Sequence, residues 1–213
     1  MKTGTLIFLV LFGVNQPLAG QFTQLEFFSG ATKSDVTLLS SIGLNHKNTL
    51  QLTTLAFFQR FREEENSVFD EIGLQPTLFW NLHKNVALGP SIYYNSFSGY
   101  SERLSARLTL KNKQILFVAL PTLAYSEQKK ASYAELFAQV QIQVPLSQKL
   151  SFWLNGQLLT VWDEFKIHAR SYQQLRLGIS LHDHQVGIGL DLDQYGTQPV
   201  NKSSFGLYYR RIL

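Results

Sequence analysis

Between residues 23 and 213 the chain switches between apolar and polar side chains at every second position, segment after segment. In LRLGISLHDHQVGIGLDLD, residues 175–193, Leu175, Leu177, Ile179 and Leu181 alternate with Arg176, Gly178, Ser180 and His182. Beyond a tight turn, Val186, Ile188, Leu190 and Leu192 alternate with Gly187, Gly189, Asp191 and Asp193. Successive side chains of a strand point to opposite faces, so this stretch is a β-hairpin with one greasy and one polar face. With Asp183-His184 as a two-residue turn, Arg176 stands opposite Asp191 and Gly178 opposite Gly189, with room beside the glycines for Trp153.

The same pattern predicts about twelve strands, each near the ~9–11 residues that a tilted strand needs to cross a bilayer. They run 23–30, 36–45, 49–61, 71–82, 86–96, 101–111, 115–125, 132–145, 150–163, 172–182, 185–195 and 203–213. The cleanest sets Ala134, Leu136, Ala138, Val140, Ile142 and Val144 against Tyr133, Glu135, Phe137, Gln139, Gln141 and Gln143. Segment 115–125 is apolar on both faces and has no readable orientation. Connections alternate between short ones (46–48, 83–85, 111–114, 146–148, 183–184) and longer polar ones, including ATKSDV, FREEENSVFDE and DEFKIHARS. Pro76, Pro90 and Pro121 fall within strands and predict bulges or kinks, because proline cannot donate to a ladder.

Alternation suits a soluble barrel as well as a membrane one, and the two are inside-out versions of each other. Three features favour the membrane. The apolar faces carry almost no charge. The polar faces are rich in Gln, Ser, Asn, Thr and Gly rather than Lys and Glu. Aromatic residues collect near strand ends, at Phe57, Phe58, Trp80, Tyr93, Tyr94, Trp162, Tyr208 and Tyr209, as interfacial girdles would. Charged residues are only 16% of the chain, against about 25% in a typical soluble domain. The net charge of +4 is scattered rather than clustered, which argues against a nucleic-acid partner. Residues 1–20, MKTGTLIFLVLFGVNQPLAG, read as a cleaved signal peptide, with Lys2 ahead of an apolar run from Thr5 to Val14. Residues 21–213 then form the barrel. With no cysteine, the chain has no disulfide and no lipidated N-terminal Cys.

The chain resembles bacterial outer-membrane β-barrel proteins. The resemblance rests on the signal peptide, the hairpin meander and a final strand, SSFGLYYRRIL, in which Phe205, Leu207, Tyr209 and Leu213 keep the class's spacing while Arg211 interrupts it. It implies an all-β, transmembrane, antiparallel up-and-down barrel in the cell outer membrane. It also implies contact with membrane lipid and lipopolysaccharide, and recognition of the last strand by the barrel-assembly machinery.

In such a barrel the polar face lines the lumen. The candidate lining residues are Glu26, Glu71, Arg103, Arg107, Lys111, Glu135, Arg176, Asp191 and Asp193, together with the rings of Phe28, Phe79, Tyr93, Tyr133, Phe137, Trp153 and Tyr195. Arg103, Arg107 and Lys111 share one face at a spacing of four, beside the small residues Ala87, Gly89 and Ser91. Such a ladder either attracts anionic solutes or pairs with Glu135 and its neighbours. The function expected is a narrow channel or facilitator for small polar solutes. The alternatives are a plugged structural or assembly subunit and, third, a lipid-modifying enzyme. A hydrolase would have to draw on Asp163, Glu164, His168 and Ser171, which sit together in an expected loop and so do not predict a preorganised site. No cofactor motif is present. His182, Asp183 and His184 lie in a turn, where they need not converge as metal ligands must. Glu63-Glu64-Glu65 reads as a solvated outer loop.

Overall fold

The computed structural model describes residues 22–213; the expected signal peptide lies outside them. Twelve strands follow one another: β1 (Phe22–Gly30), β2 (Lys33–Gly43), β3 (Leu50–Phe61), β4 (Glu71–His83), β5 (Val86–Asn95), β6 (Gly99–Lys111), β7 (Ile115–Ser126), β8 (Ala131–Pro145), β9 (Leu150–Asp163), β10 (Ile167–Leu181), β11 (His184–Tyr195) and β12 (Val200–Ile212). Each pairs antiparallel with its sequence neighbours, and β1 pairs with β12, so the sheet closes without a free edge. A short 3-10 helix, Glu64–Phe69, interrupts the β3–β4 connection.

Burial is inverted relative to a soluble barrel. The greasy face points outward and stays exposed: Leu207 is 66%, Ile92 60% and Trp80 58% accessible. The polar face points inward, where Arg176 and Arg210 are each 1% accessible and Asp191 0%. An apolar band around a closed polar interior is stable only where lipid replaces water outside. Alternation also sorts the aromatic doublets. Phe58, Tyr94 and Tyr209 face outward with Trp80 and Trp162. Their partners Phe57, Tyr93 and Tyr208 share the inward register, so the expected girdle holds about half of the rings assigned to it.

Three sequence expectations are corrected. First, most of the polar connections are not long loops: β1–β2 turns through residues 31–32, β5–β6 through 96–98 and β9–β10 through 164–166. Ladder hydrogen bonds come from the main chain, so polar ends such as Lys33, Ser34 and Asp35 still pair, here with Phe61, Arg60 and Gln59. Only the β3–β4 connection, 62–70, is a true excursion.

Second, Pro76, Pro90 and Pro121 raise no bulge. All three point outward, and each pairs normally on one side, with Thr54, Leu104 and Leu136 respectively. On the other side the ladder skips: β4–β5 pairing jumps from Leu74–Tyr94 to Thr77–Ser91, and β6–β7 from Ser105–Thr122 to Leu108–Ala119. The missing donors are thus grouped at two seams and each strand continues through.

Third, the β10–β11 hairpin turns at His182-Asp183, with Leu181 opposite His184, two positions from the expected register. His182 takes the left-handed conformation (φ 53°) that tight hairpin turns favour. An even slip leaves every side chain on its expected face, so the polarity pattern could not distinguish the two registers. Gly178 now faces Gly187 on β11 and Trp153 on β9. Strand β7 also acquires an orientation: Thr122 pairs with Ser105 and Glu135 on the inner face, which turns Leu116, Val118 and Leu120 into the lumen.

Candidate functional site

The interior is organised by a chain of buried ion pairs. On β10, Arg176 donates from Nε to Glu26 Oε1 (2.9 Å) and from Nη1 to Asp191 Oδ1 (2.5 Å). Its guanidinium lies over the Phe28 ring, 4.3 Å from the centroid, a placement that favours a desolvated cation. Gly189 makes room for it: a Cβ there would come within 2.8 Å of the Phe28 ring and 2.9 Å of Arg176 Nη1. Toward the rim of the short turns, Arg210 holds the other Glu26 oxygen (Nε to Oε2, 2.7 Å) and donates to Gln185 (3.3 Å). Phe28, Trp153 and Tyr208 pack around this end as an apolar cluster.

Toward the opposite rim, Lys33 Nζ contacts Asp193 Oδ2 (2.8 Å), Asp191 Oδ2 (3.0 Å) and Gln59 Oε1 (3.1 Å). Arg170 then reaches from β10 to Glu71 on β4, and Asn95 donates to the same carboxylate. Five strands lie between β4 and β10 on either side of a ring of twelve, so the Arg170–Glu71 pair bridges opposite walls of the lumen. The 62–70 connection closes over this end. Phe69 packs on Tyr195 with centroids 4.6 Å apart, Lys202 Nζ donates to Asn66 Oδ1 (2.5 Å), and Gln59 Nε2 donates to the Phe69 carbonyl (3.2 Å). The acidic run read as solvated therefore opens a segment folded back on the mouth, with Glu63 accepting from Asn66 Nδ2 at 2.8 Å.

The basic ladder on β6 divides. Arg103 is buried and neutralised: it donates to Glu135 (3.2 Å), Gln75 (3.0 Å) and Tyr133 (2.9 Å), with Tyr93 beneath it at 3.8 Å. Arg107 is half-buried, with no ion pair among the described residues; it donates to Gln51 (2.7 Å) and Asn81 (3.0 Å) over the Phe79 ring. Lys111 is exposed at the end of β6 and joins no lumen contact. It shares the ladder's face by parity, but the strand has already reached the rim. Glu26, Glu71, Arg103, Glu135, Arg176, Asp191 and Asp193 meet one another or their neighbours inside, as their polar-face positions predict. Sequence reasoning missed Lys33, Asp35, Arg170 and Arg210, since the first three were assigned to connections and Arg210 was read only as part of the closing strand.

The interior is not uniformly filled. Arg107, Thr109, Leu120, Phe137, Gln139 and Gln157 all point inward yet remain part-exposed. Away from the rims, an inward side chain of a closed barrel is exposed only to space inside it. Water therefore reaches the β6–β9 wall, while the wall of β10, β11, β12 and β1 is packed by ion pairs.

Of the residues considered for hydrolysis, only Glu164 lies in a turn. His168 and Ser171 both belong to β10 and touch, whereas Asp163 pairs with Lys129 at 2.6 Å. In the metal candidate, His184 Nδ1 hydrogen-bonds the Tyr209 hydroxyl at 2.8 Å.

Closed topology and an outward apolar belt define the class: an outer-membrane-type transmembrane β-barrel. Among solved structures the chain is similar to the NanC porin (TM-score 0.51, 11% identity, 90% of this chain and 99% of that one). It is also similar to an outer-membrane channel from Pseudomonas putida F1 (TM-score 0.51, 12% identity, 91% and 96%) and to the KdgM porin (0.50, 8%, 89% and 98%). No protein-family model and no curated protein matches the sequence. At these identities the likeness is one of fold.

Proposed function

We propose that the protein is a narrow facilitator for small polar solutes, held in a constricted state at the rim of the β3–β4 connection. The observation that carries this reading is the part-exposed inner wall of β6 to β9, where Arg107, Gln139 and Gln157 offer a wet, polar surface facing the ion-paired wall of β10, β11, β12 and β1. Arg107, and Lys202 at the mouth, are lumen cations whose charge is not cancelled by an ion pair among the described residues, so the passage favours anions over cations of equal size. Similarity to porins and an outer-membrane channel agrees with this reading at the level of architecture.

A plugged structural barrel is the second reading, and the Arg170–Glu71 bridge favours it. Purified protein in planar bilayers separates them. Discrete, anion-selective openings whose selectivity falls in Arg107→Gln are expected. Membranes that stay silent with demonstrably inserted protein would establish the plugged barrel instead.

A further inference from the structure

On the outer surface of the barrel, β10 carries a nucleophile and a base in contact. His168 Nε2 lies 2.9 Å from Ser171 Oγ, and His168 Nδ1 lies 2.9 Å from the Gly196 carbonyl oxygen. A carbonyl only accepts, so Nδ1 carries the proton and Nε2 is left as the acceptor. With the ring neutral, Nε2 faces the Ser171 hydroxyl as an open acceptor, which is the arrangement a general base needs. The Ser171 hydroxyl donates to Thr160 Oγ1 at 3.0 Å, so its proton swings from Thr160 to Nε2 when the base takes it. The Trp162 ring packs edge-on to the imidazole at 5.6 Å.

In a regular strand, residues 168 and 171 would point to opposite faces. The β9–β10 register shifts between His168 and Arg170, and this extra residue places both side chains on one face: His168 pairs with Trp162 and Ser171 with Thr160. Trp162 is 40% exposed on the outer wall, and Phe165, in the turn that follows it, is an exposed apolar side chain. The pair thus sits at the interface rim, turned toward lipid rather than into the lumen. Bulges that re-aim a side chain in this way are enriched beside active sites.

We propose that Ser171 and His168 hydrolyse a carboxylic ester of a membrane lipid. Ser171 Oγ attacks the ester carbonyl carbon while its proton passes to His168 Nε2. The tetrahedral adduct collapses, the C–O bond to the leaving alcohol breaks, and Nε2 returns the proton to that alkoxide. Water then attacks the acyl-Ser171, giving its proton to Nε2; the released carboxylic acid and a reprotonated Ser171 complete the cycle. This activity is independent of whether the lumen conducts.

The test treats the full-length protein, folded in detergent, with a fluorophosphonate serine probe. Mass spectrometry is expected to place the adduct on Ser171, and labelling is expected to fall by about 100-fold in His168→Gln, within the usual contribution of a general base. Micelles containing either a glycerophospholipid or lipopolysaccharide should release fatty acid from at least one of the two, which also identifies the acyl source. An adduct on another residue, no release from either lipid, or release that persists undiminished in Ser171→Ala would overturn the proposal. The adduct map is read on the unsubstituted chain, so it holds even if a variant fails to fold.

Discussion

Arg176 Nη1 donates to Asp191 Oδ1 at 2.5 Å although the two residues are not opposed in the hairpin: Arg176 stands across from Gly189 and Asp191 across from Gln174. The contact is diagonal, and Gly189 leaves the lane open for it. Asp191 also holds Lys33, and Arg176 also holds Glu26, so the pair is a junction of the buried network rather than an isolated bridge. Removing one member of a buried pair typically costs about 3–5 kcal/mol, much of it the penalty of the charge left behind. Arg176→Ala and Asp191→Ala are each expected to lower unfolding stability in detergent, and the double substitution to cost less than their sum. Full additivity in urea titrations would show that the two charges are not coupled.

The Arg170–Glu71 bridge predicts a gate. Replacing both by Gln keeps hydrogen-bonding groups, shortens the side chain at 170 and removes the attraction between β10 and β4. Single-channel conductance of the double variant should exceed that of the unsubstituted protein several-fold. Unchanged conductance would place the constriction elsewhere in the lumen.

The ion-paired network joins four cations, Lys33, Arg170, Arg176 and Arg210, to five carboxylates, Glu26, Asp35, Glu71, Asp191 and Asp193. Asp35 is the weakly held member: its Oδ2 accepts no hydrogen bond and lies 4.0 Å from Lys33 Nζ. Burying a charge without a matched partner is unfavourable. Asp35→Asn should therefore leave the thermal unfolding midpoint unchanged or raise it, whereas Asp193→Asn, which weakens contacts to both Lys33 and Arg170, should lower it. The opposite ranking would mean that Asp35 carries a partner's charge.

Location and orientation are tested on cells. The protein should fractionate with outer membranes, require detergent and migrate differently in boiled and unboiled gel samples. Tags inserted at Glu64 or Lys166 should be accessible on intact cells, and tags at Lys47 or Lys84 should not. Labelling at Lys47 with protection at Glu64 would invert the meander.

Much of the barrel was legible in the sequence because a period of two has a direct geometric meaning. It assigned an inward or outward face to Tyr133, Phe137, Trp153, Arg103 and Asp191, and it made a strand count of about twelve readable. It could not find strand ends, since pairing is a main-chain property: Lys33, Asp35 and Arg170 looked like loop residues and proved to be central to the buried network.

By itself, then, the sequence determined the alternation and the antiparallel meander, each encoded in consecutive residues, while the composition of the two faces favoured the inverted polarity. Tertiary structure alone decided what meets across the lumen and across a bulge. Glu71 and Arg170 lie 99 positions apart and touch only because closure brings β4 opposite β10. His168 and Ser171 lie three apart and should point to opposite faces; they touch because one extra residue in β10 resets the parity of the strand. Neither the closure of twelve strands nor the place of a bulge is written in local polarity, so these contacts could be read only from the folded chain.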